Sequence, residues 1–161
     1  MKTSNLIRRI RMECPLCDKI HEIEERTRVA KIIIKGEEVN YVESYYFCAN
    51  SNEEENEFAT GKMENNNLLN ARNAYRKSHG LLTSDQIVAI REMYGLSQVD
   101  LARLLGWGEA TISRYESKAI QDEAYDNMLR IVRENPKATL ELLQKNEAKF
   151  SKEKIISIRQ K

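Results

Sequence analysis

The first third of the chain carries runs of β-branched and aromatic residues, and apolar positions recur at helical spacing in the rest. Glu22 to Ile34 is rich in β-branched residues, Lys35-Gly36 is a turn signal, and Glu37 to Phe47 resumes with Val39, Tyr41, Val42, Tyr45 and Tyr46. Two such runs about a glycine-containing turn predict a hairpin. Glu57–Ala59 is a candidate third short strand. After a linker at Gly61–Asn67, the residues Leu68, Leu69, Ala71, Ala74 and Tyr75 give an apolar stripe to a helix over about 65–78. Its basic residues Arg72, Arg76 and Lys77 sit in the second half, where they complement the helix dipole, and Gly80 is a plausible C-cap. Thr83 or Ser84 caps a helix that runs to Tyr94 and ends at Gly95. Helices at Gln98–Leu105, Glu109–Ser117 and about Asp122–Glu134 follow, then one opening at Pro136, whose missing donor is not needed in a first turn. The expected fold is α+β. A small β domain spans 12–60, a linker and helix 61–80, an all-α domain 81–146 and a basic tail 147–161.

Within the helical part, Gln98 to Glu116 has the layout of a helix-turn-helix. Ala102 lies four residues after Gln98, Gly106 eight and Ile112 fourteen. Two helices crossing steeply need a small residue where their backbones approach, which Ala102 supplies. The sharp turn needs a residue that tolerates positive φ, which Gly106 supplies. Leu101, Leu105, Trp107, Ile112 and Tyr115 fall where the pair must face a core. Arg91 and Glu116 are spaced for an internal ion pair between the preceding helix and the end of the second motif helix. Trp107 and Tyr115 read as core rather than base-stacking groups, and His79 as a surface or helix-end residue.

Charge changes the picture in one respect. The net charge is +1, but residues 12–60 carry 5 Lys/Arg against 12 Asp/Glu, whereas residues 61–83 carry 4 against 1 and residues 84–118 carry 4 against 5. The acidic front would be repelled by phosphate and suits a basic protein partner. DNA affinity must then come from a few placed residues and from dimerisation. No apolar run reaches the ~18 residues of a membrane span, and the basic N-terminus (Lys2, Arg8, Arg9, Arg11) lacks a signal-peptide core. A cytoplasmic location is expected, where three cysteines do not make a disulfide framework.

Those cysteines carry the candidate metal chemistry. Cys14-Pro-Leu-Cys17 is a two-thiolate knuckle, and Cys48 follows 31 residues later. A structural zinc needs four ligands. A second knuckle would need its fourth ligand at position 51, but that residue is Ser51, so the site has three thiolates and no clear fourth; His21 or Asp18 could supply it. The alternative is a degenerate finger of reduced, buried thiols held by its hairpin. A redox CxxC would need Cys14 at a helix N-terminus in a βαβ setting, which the hairpin-like sequence opposes. Paired carboxylates, nucleophile–base arrangements and phosphate-cradling glycine loops do not stand out, so an enzyme is not expected.

In a DNA-reading arrangement the second motif helix lies in the major groove with its N-terminal end toward the bases. Arg114 can donate two bonds to a guanine edge, and the Ala110 methyl can meet a thymine methyl. Glu109 can accept from cytosine or serve as a helix-start acid. Thr111 and Ser113 can reach phosphate or base, Gln98 can bond a phosphate or pack on a neighbouring base contact, and Lys118 can pair with phosphate.

Leu96 to Glu116, with its Ile112-Ser-Arg-Tyr-Glu116 ending, resembles the Cro/repressor-type (XRE) helix-turn-helix family. The order Cys14-x-x-Cys17, hairpin, Cys48, linker, helix-turn-helix is similar to MqsA-type antitoxins with a YgiT-type zinc finger, over roughly residues 12–146. The resemblance is closest to prophage-type regulators, some of which carry a further Panacea (SocA-like) domain. It implies a dimeric repressor that binds its own operator through the C-terminal half and a cognate toxin through the N-terminal finger. It matches the zinc cysteines to Cys14, Cys17 and Cys48, with Ser51 at the fourth position. It also matches the family's recognition-helix Arg to Arg114, with Ala110 where that family has Asn.

Overall fold

The structure is a computed structural model that describes residues 3–51 and 55–160. Lys2 of the basic N-terminus, Glu53 and Glu54 of the acidic stretch and Lys161 of the tail lie outside the described residues. The chain divides into two compact units, Met1–Tyr75 and Arg76–Lys161. The layout is α+β, a sheet followed by helices. Among the described residues no helix is long and apolar enough to cross a membrane.

The first unit is an antiparallel sheet in the order β1-β2-β3-β4: β1 Ser4–Glu13, β2 Ile20–Ile34, β3 Glu37–Phe47 and β4 Glu57–Phe58. The β2–β3 hairpin pairs in unbroken register from Glu24↔Phe47 to Ile34↔Glu37. Its two loop residues, Lys35 at φ 50° and Gly36 at φ 79°, both have positive φ. That is the primed turn whose twist matches the flanking strands. The pattern of apolar residues foretold this hairpin and β4, but not β1. Most β1 side chains are exposed, so the strand has little apolar signature, and charge does much of the pairing. Arg8 forms an ion pair with Glu25, Arg9 reaches Glu24 at 3.6 Å, and Arg11 stands opposite Glu22. The front sheet is therefore less acidic than residues 12–60 alone suggest.

Helix α1 (Gly61–Ser78) starts earlier than its apolar stripe, where the Thr60 hydroxyl accepts from the Met63 amide at 3.1 Å. Its Asn67 side chain bonds both the N–H and the C=O of Ser44 at 2.8 Å. One amide thus satisfies two backbone groups of β3 that a neighbouring strand would otherwise take. At its far end the Gly80 N–H reaches back to the Lys77 carbonyl and the Leu81 N–H to that of Arg76, with Gly80 at φ 68°. This is the glycine-closed helix end expected there.

The second unit is helical: α2 Ser84–Met93, α3 Gln98–Leu105, α4 Thr111–Ser117, α5 Glu123–Glu134, α6 Pro136–Lys145 and α7 Lys152–Arg159. Capping boxes at Thr83 and Ser97 open α2 and α3, each satisfying two otherwise orphan donors. Ile87, Ile90, Leu101, Ala102, Leu104, Ile112, Leu129, Val132 and Leu143 form the fully buried centre of its core. The segment 147–161, read from sequence as a basic tail, instead carries a short 3₁₀ turn and α7. Ile155 and Ile158 enter the core, and Lys154 pairs with Asp100 of α3 at 3.2 Å. The lysines mask this helix in the sequence, because only two apolar positions mark its inner face.

Candidate functional site

The cysteine knuckle sits between β1 and β2. Asp18 takes φ 56°, and the turn closes through Asp18 N–H to the Cys14 carbonyl and Cys14 N–H to the Lys19 carbonyl, both 2.9 Å. β2 then brings in His21 and the end of β3 brings in Cys48. The ligand atoms of Cys14, Cys17, His21 and Cys48 all lie within 4.8 Å of one another. Cys17 and Cys48 sulfurs are 3.9 Å apart, and His21 Nε2 lies 3.2 and 3.6 Å from them. A tetrahedral zinc with Zn–S about 2.3 Å and Zn–N about 2.0 Å sets sulfur–sulfur edges near ~3.8 Å and sulfur–nitrogen edges near ~3.6 Å. The donor set and its spacing are therefore consistent with zinc binding.

The surroundings favour the ligand forms of His21 and Cys14 but not of Cys48. His21 Nδ1 donates to the Glu22 carbonyl at 2.8 Å. This leaves Nε2 as the lone-pair nitrogen facing the sulfurs, the usual way a ligating imidazole is oriented. Burial pushes the Cys14 thiol up, but hydrogen bonding, chiefly from the Cys17 backbone, more than offsets it and holds it at about 6. Burial and the Cys14 side chain push Cys48 up, against backbone N–H donation from Asn50 and Ser51. Of the two fourth-ligand candidates, His21 joins the cluster and Asp18 does not. Ser51 keeps the backbone part of a second knuckle, while the histidine supplies the missing donor from across the sheet. Ile23, Tyr46, Phe58, Met12 and Leu16 pack around the thiols.

The second feature is the α3–α4 pair. Gly106 at φ 72° closes α3, with its N–H to the Arg103 carbonyl and Trp107 N–H to that of Ala102. Ala102 and Ile112 are fully buried. Trp107 packs on Tyr125 at 4.4 Å between ring centroids, and Tyr115 on Tyr125 at 6.0 Å. Both aromatics thus serve the core. Arg91 forms a two-pronged pair with Glu116, both bonds 2.8 Å.

A family model described as the antitoxin component of bacterial toxin-antitoxin systems, MqsA, matches residues 12–160. The chain belongs to the MqsA antitoxin family. No curated protein and no solved structure matches it significantly. The MqsA match begins within β1, so most of that strand precedes it. Membership gives the chain an antitoxin role and implies a toxin partner.

The residues singled out for DNA contact in this MqsA-family chain lie as follows. Gln98 opens α3 half-buried and donates to Glu116 at 3.2 Å. Glu109 precedes α4 rather than starting it, because Gly108 to Ala110 form a turn; its carboxylate accepts from Arg103 at 2.9 Å. Ala110 is the exposed N-cap residue, and Thr111 is the first residue of α4. Ser113 donates to the Ala110 carbonyl at 3.0 Å. Arg114 and Lys118 are exposed, and among the described residues neither side chain makes a hydrogen bond or ion pair. The sequence reading missed Arg103 as the partner of Glu109. It also gives Arg76 only a dipole-complementing role, whereas the side chain is wholly buried. The only advance signal was that Arg76 follows directly on the apolar Tyr75.

Proposed function

We propose that this antitoxin is a transcriptional repressor of its own operon, binding double-stranded operator DNA as a homodimer in the cytoplasm through α3–α4. The observation that carries the reading is the character of α4. Its inner face is anchored by Ile112 and by the Arg91–Glu116 pair, while Arg114 and Lys118 are exposed cations with no partner among the described residues. A rigid helix presenting an unpaired guanidinium one turn from its N-terminus suits the major groove, where arginine bonds guanine O6 and N7. Ser113, Thr111, Ala110 and Glu109 border it, and Lys118 and Gln98 lie within reach of phosphates. The front sheet, stabilised by zinc on Cys14, Cys17, His21 and Cys48, takes the toxin, and its excess of acid suits a basic partner. The role is non-enzymatic.

The near-neutral charge around α4 means that affinity rests on few contacts and on two half-sites about one helical turn apart. Fluorescence anisotropy with the DNA upstream of the gene tests this. Arg114→Ala is expected to cost about 1–3 kcal/mol and to relax base preference at one position per half-site. Equal operator affinity of the variant and the parent sinks the reading. A plain regulator without a toxin is distinguished by the front unit: a full-length chain that captures no toxin encoded beside its gene favours it.

A further inference from the structure

Arg76, in the last turn of α1, is fully buried. A guanidinium taken out of water is costly unless its donors are used. Here they are used on the far end of α4. Nη2 donates to the carbonyls of Tyr115 at 2.6 Å and Ala119 at 2.7 Å, and Nε donates to Gln121 Oε1 at 3.0 Å. The carbonyl end of a helix carries the negative pole of its dipole, which suits a buried cation. Gln121 in turn donates to the Leu82 carbonyl at 2.7 Å and to Asp126 Oδ1 at 3.1 Å, and that same oxygen accepts from the Leu82 amide at 2.8 Å. The C-terminus of α4 is thereby tied through one arginine to the start of α2 and to α5.

The clamp lies directly behind the residue that is to read bases. The Arg114 carbonyl accepts from both Lys118 and Ala119 amides, at 2.6 and 2.7 Å. Of the carbonyls held by Arg76, that of Tyr115 is the next along α4 and that of Ala119 lies just past the helix end. An α4 of seven residues has too few internal hydrogen bonds to hold its own direction, so its angle must be set from outside. Ile112 fixes one side, the Arg91–Glu116 pair a second, and Arg76 the end.

We propose that Arg76 is a positioning residue of the DNA-reading helix, setting the angle at which Arg114 and Ser113 meet the bases and so governing operator discrimination rather than bulk DNA affinity. This rests on the DNA-binding reading above. Arg76 is buried and cannot touch phosphate, so its loss should leave the salt dependence of binding unchanged, because that slope counts phosphate contacts. A residue that only stabilises the fold would lower the melting temperature without changing the operator-to-scrambled affinity ratio well below melting.

The test compares parent, Arg76→Met and Arg76→Lys on operator and scrambled duplexes over a salt series, with amide hydrogen exchange on the free proteins. Lysine keeps the charge and the stem but cannot bridge two carbonyls and Gln121 together. Arg76→Met is expected to lower the affinity ratio roughly tenfold to a hundredfold, the size of one lost base contact. Scrambled-duplex affinity and the salt slope should hold, and exchange at Lys118 and Ala119 should quicken. Arg76→Lys should fall between, and carries the test alone if the methionine variant does not fold. A discriminating parent matched by the folded variants overturns the role of Arg76 and leaves the DNA reading standing. A parent that binds both duplexes equally overturns the DNA reading, and this inference with it.

Discussion

Arg91 and Glu116 meet face to face, Nε on Oε2 and Nη2 on Oε1, each at 2.8 Å, with side chains only 17% and 7% exposed. They join the last turn of α2 to the last turn of α4, and Arg91 also donates to the Leu96 carbonyl at 3.1 Å. Two parallel bonds in a fork are the strongest geometry an ion pair offers. Glu116→Ala should therefore strand a largely buried guanidinium and cost about 3–5 kcal/mol, whereas replacing both partners by apolar residues should cost much less. Urea denaturation of the two single variants and the double variant checks this. Additive losses would mean that the pair is not coupled.

The four-ligand cluster predicts one zinc per chain. His21→Ala removes the only non-thiolate donor among Cys14, Cys17, His21 and Cys48 and should release the metal at chelator concentrations that the parent withstands. Asp18→Ala should leave zinc content unchanged, since its carboxylate stands outside the cluster. Atomic absorption on purified protein, before and after graded chelator, measures both. Zinc content well below one per chain in the parent, or His21→Ala retaining metal like the parent, would remove the histidine from the site.

How far these sites could be read in advance follows from the physics of each. The turn at Gly106, the buried Ala102 and the Arg91–Glu116 spacing obey local offset rules, so the sequence foretells them. The His21 ligand depends on strand register, because only folding of β2 against β1 brings it beside the knuckle; spacing alone leaves Asp18 an equal candidate. β1 and α7 carry little apolar periodicity. They attach through ion pairs such as Arg8–Glu25 and Lys154–Asp100, which leave no pattern along the chain. Arg76 was hidden for the same reason: what distinguishes it from a surface cation is a set of carbonyls about forty residues away.

Gly106 allows a prediction in which sterics and backbone strain separate. A Cβ built there meets nothing within 4 Å, yet φ is 72°. Gly106→Ala should therefore cost about 1–2 kcal/mol, the left-handed penalty alone, and Gly106→Asn less, since asparagine tolerates that region. Thermal melts of both variants distinguish the two. A much larger alanine penalty would mean that the turn is packed against something.

Asp126 is expected to contribute to the acid sensitivity of the helical unit. Burial alone would push its carboxyl up, but the Arg130 side chain, the Leu82 amide and Gln121 more than offset this and hold it below the usual carboxylate range. The bond to Arg130 Nε is 2.7 Å, and the aspartate side chain is 3% exposed. A carboxyl whose pKa is lower folded than unfolded binds its proton more tightly in the unfolded chain. Its contribution is complete above the unfolded value of about 3.9 and is lost as pH falls through the folded one. Asp100, also held low once its bonds to Ser97 and Lys154 outweigh burial, acts in the same direction. Denaturation midpoints measured from pH 6 downward (a range chosen to span that value of about 3.9) should therefore fall on the acid side. Asp126→Asn should be less stable than the parent at pH 6, because it strands the Arg130 guanidinium, and should lose less between there and the acid end. An unchanged acid slope in the variant would show that other carboxylates carry the transition.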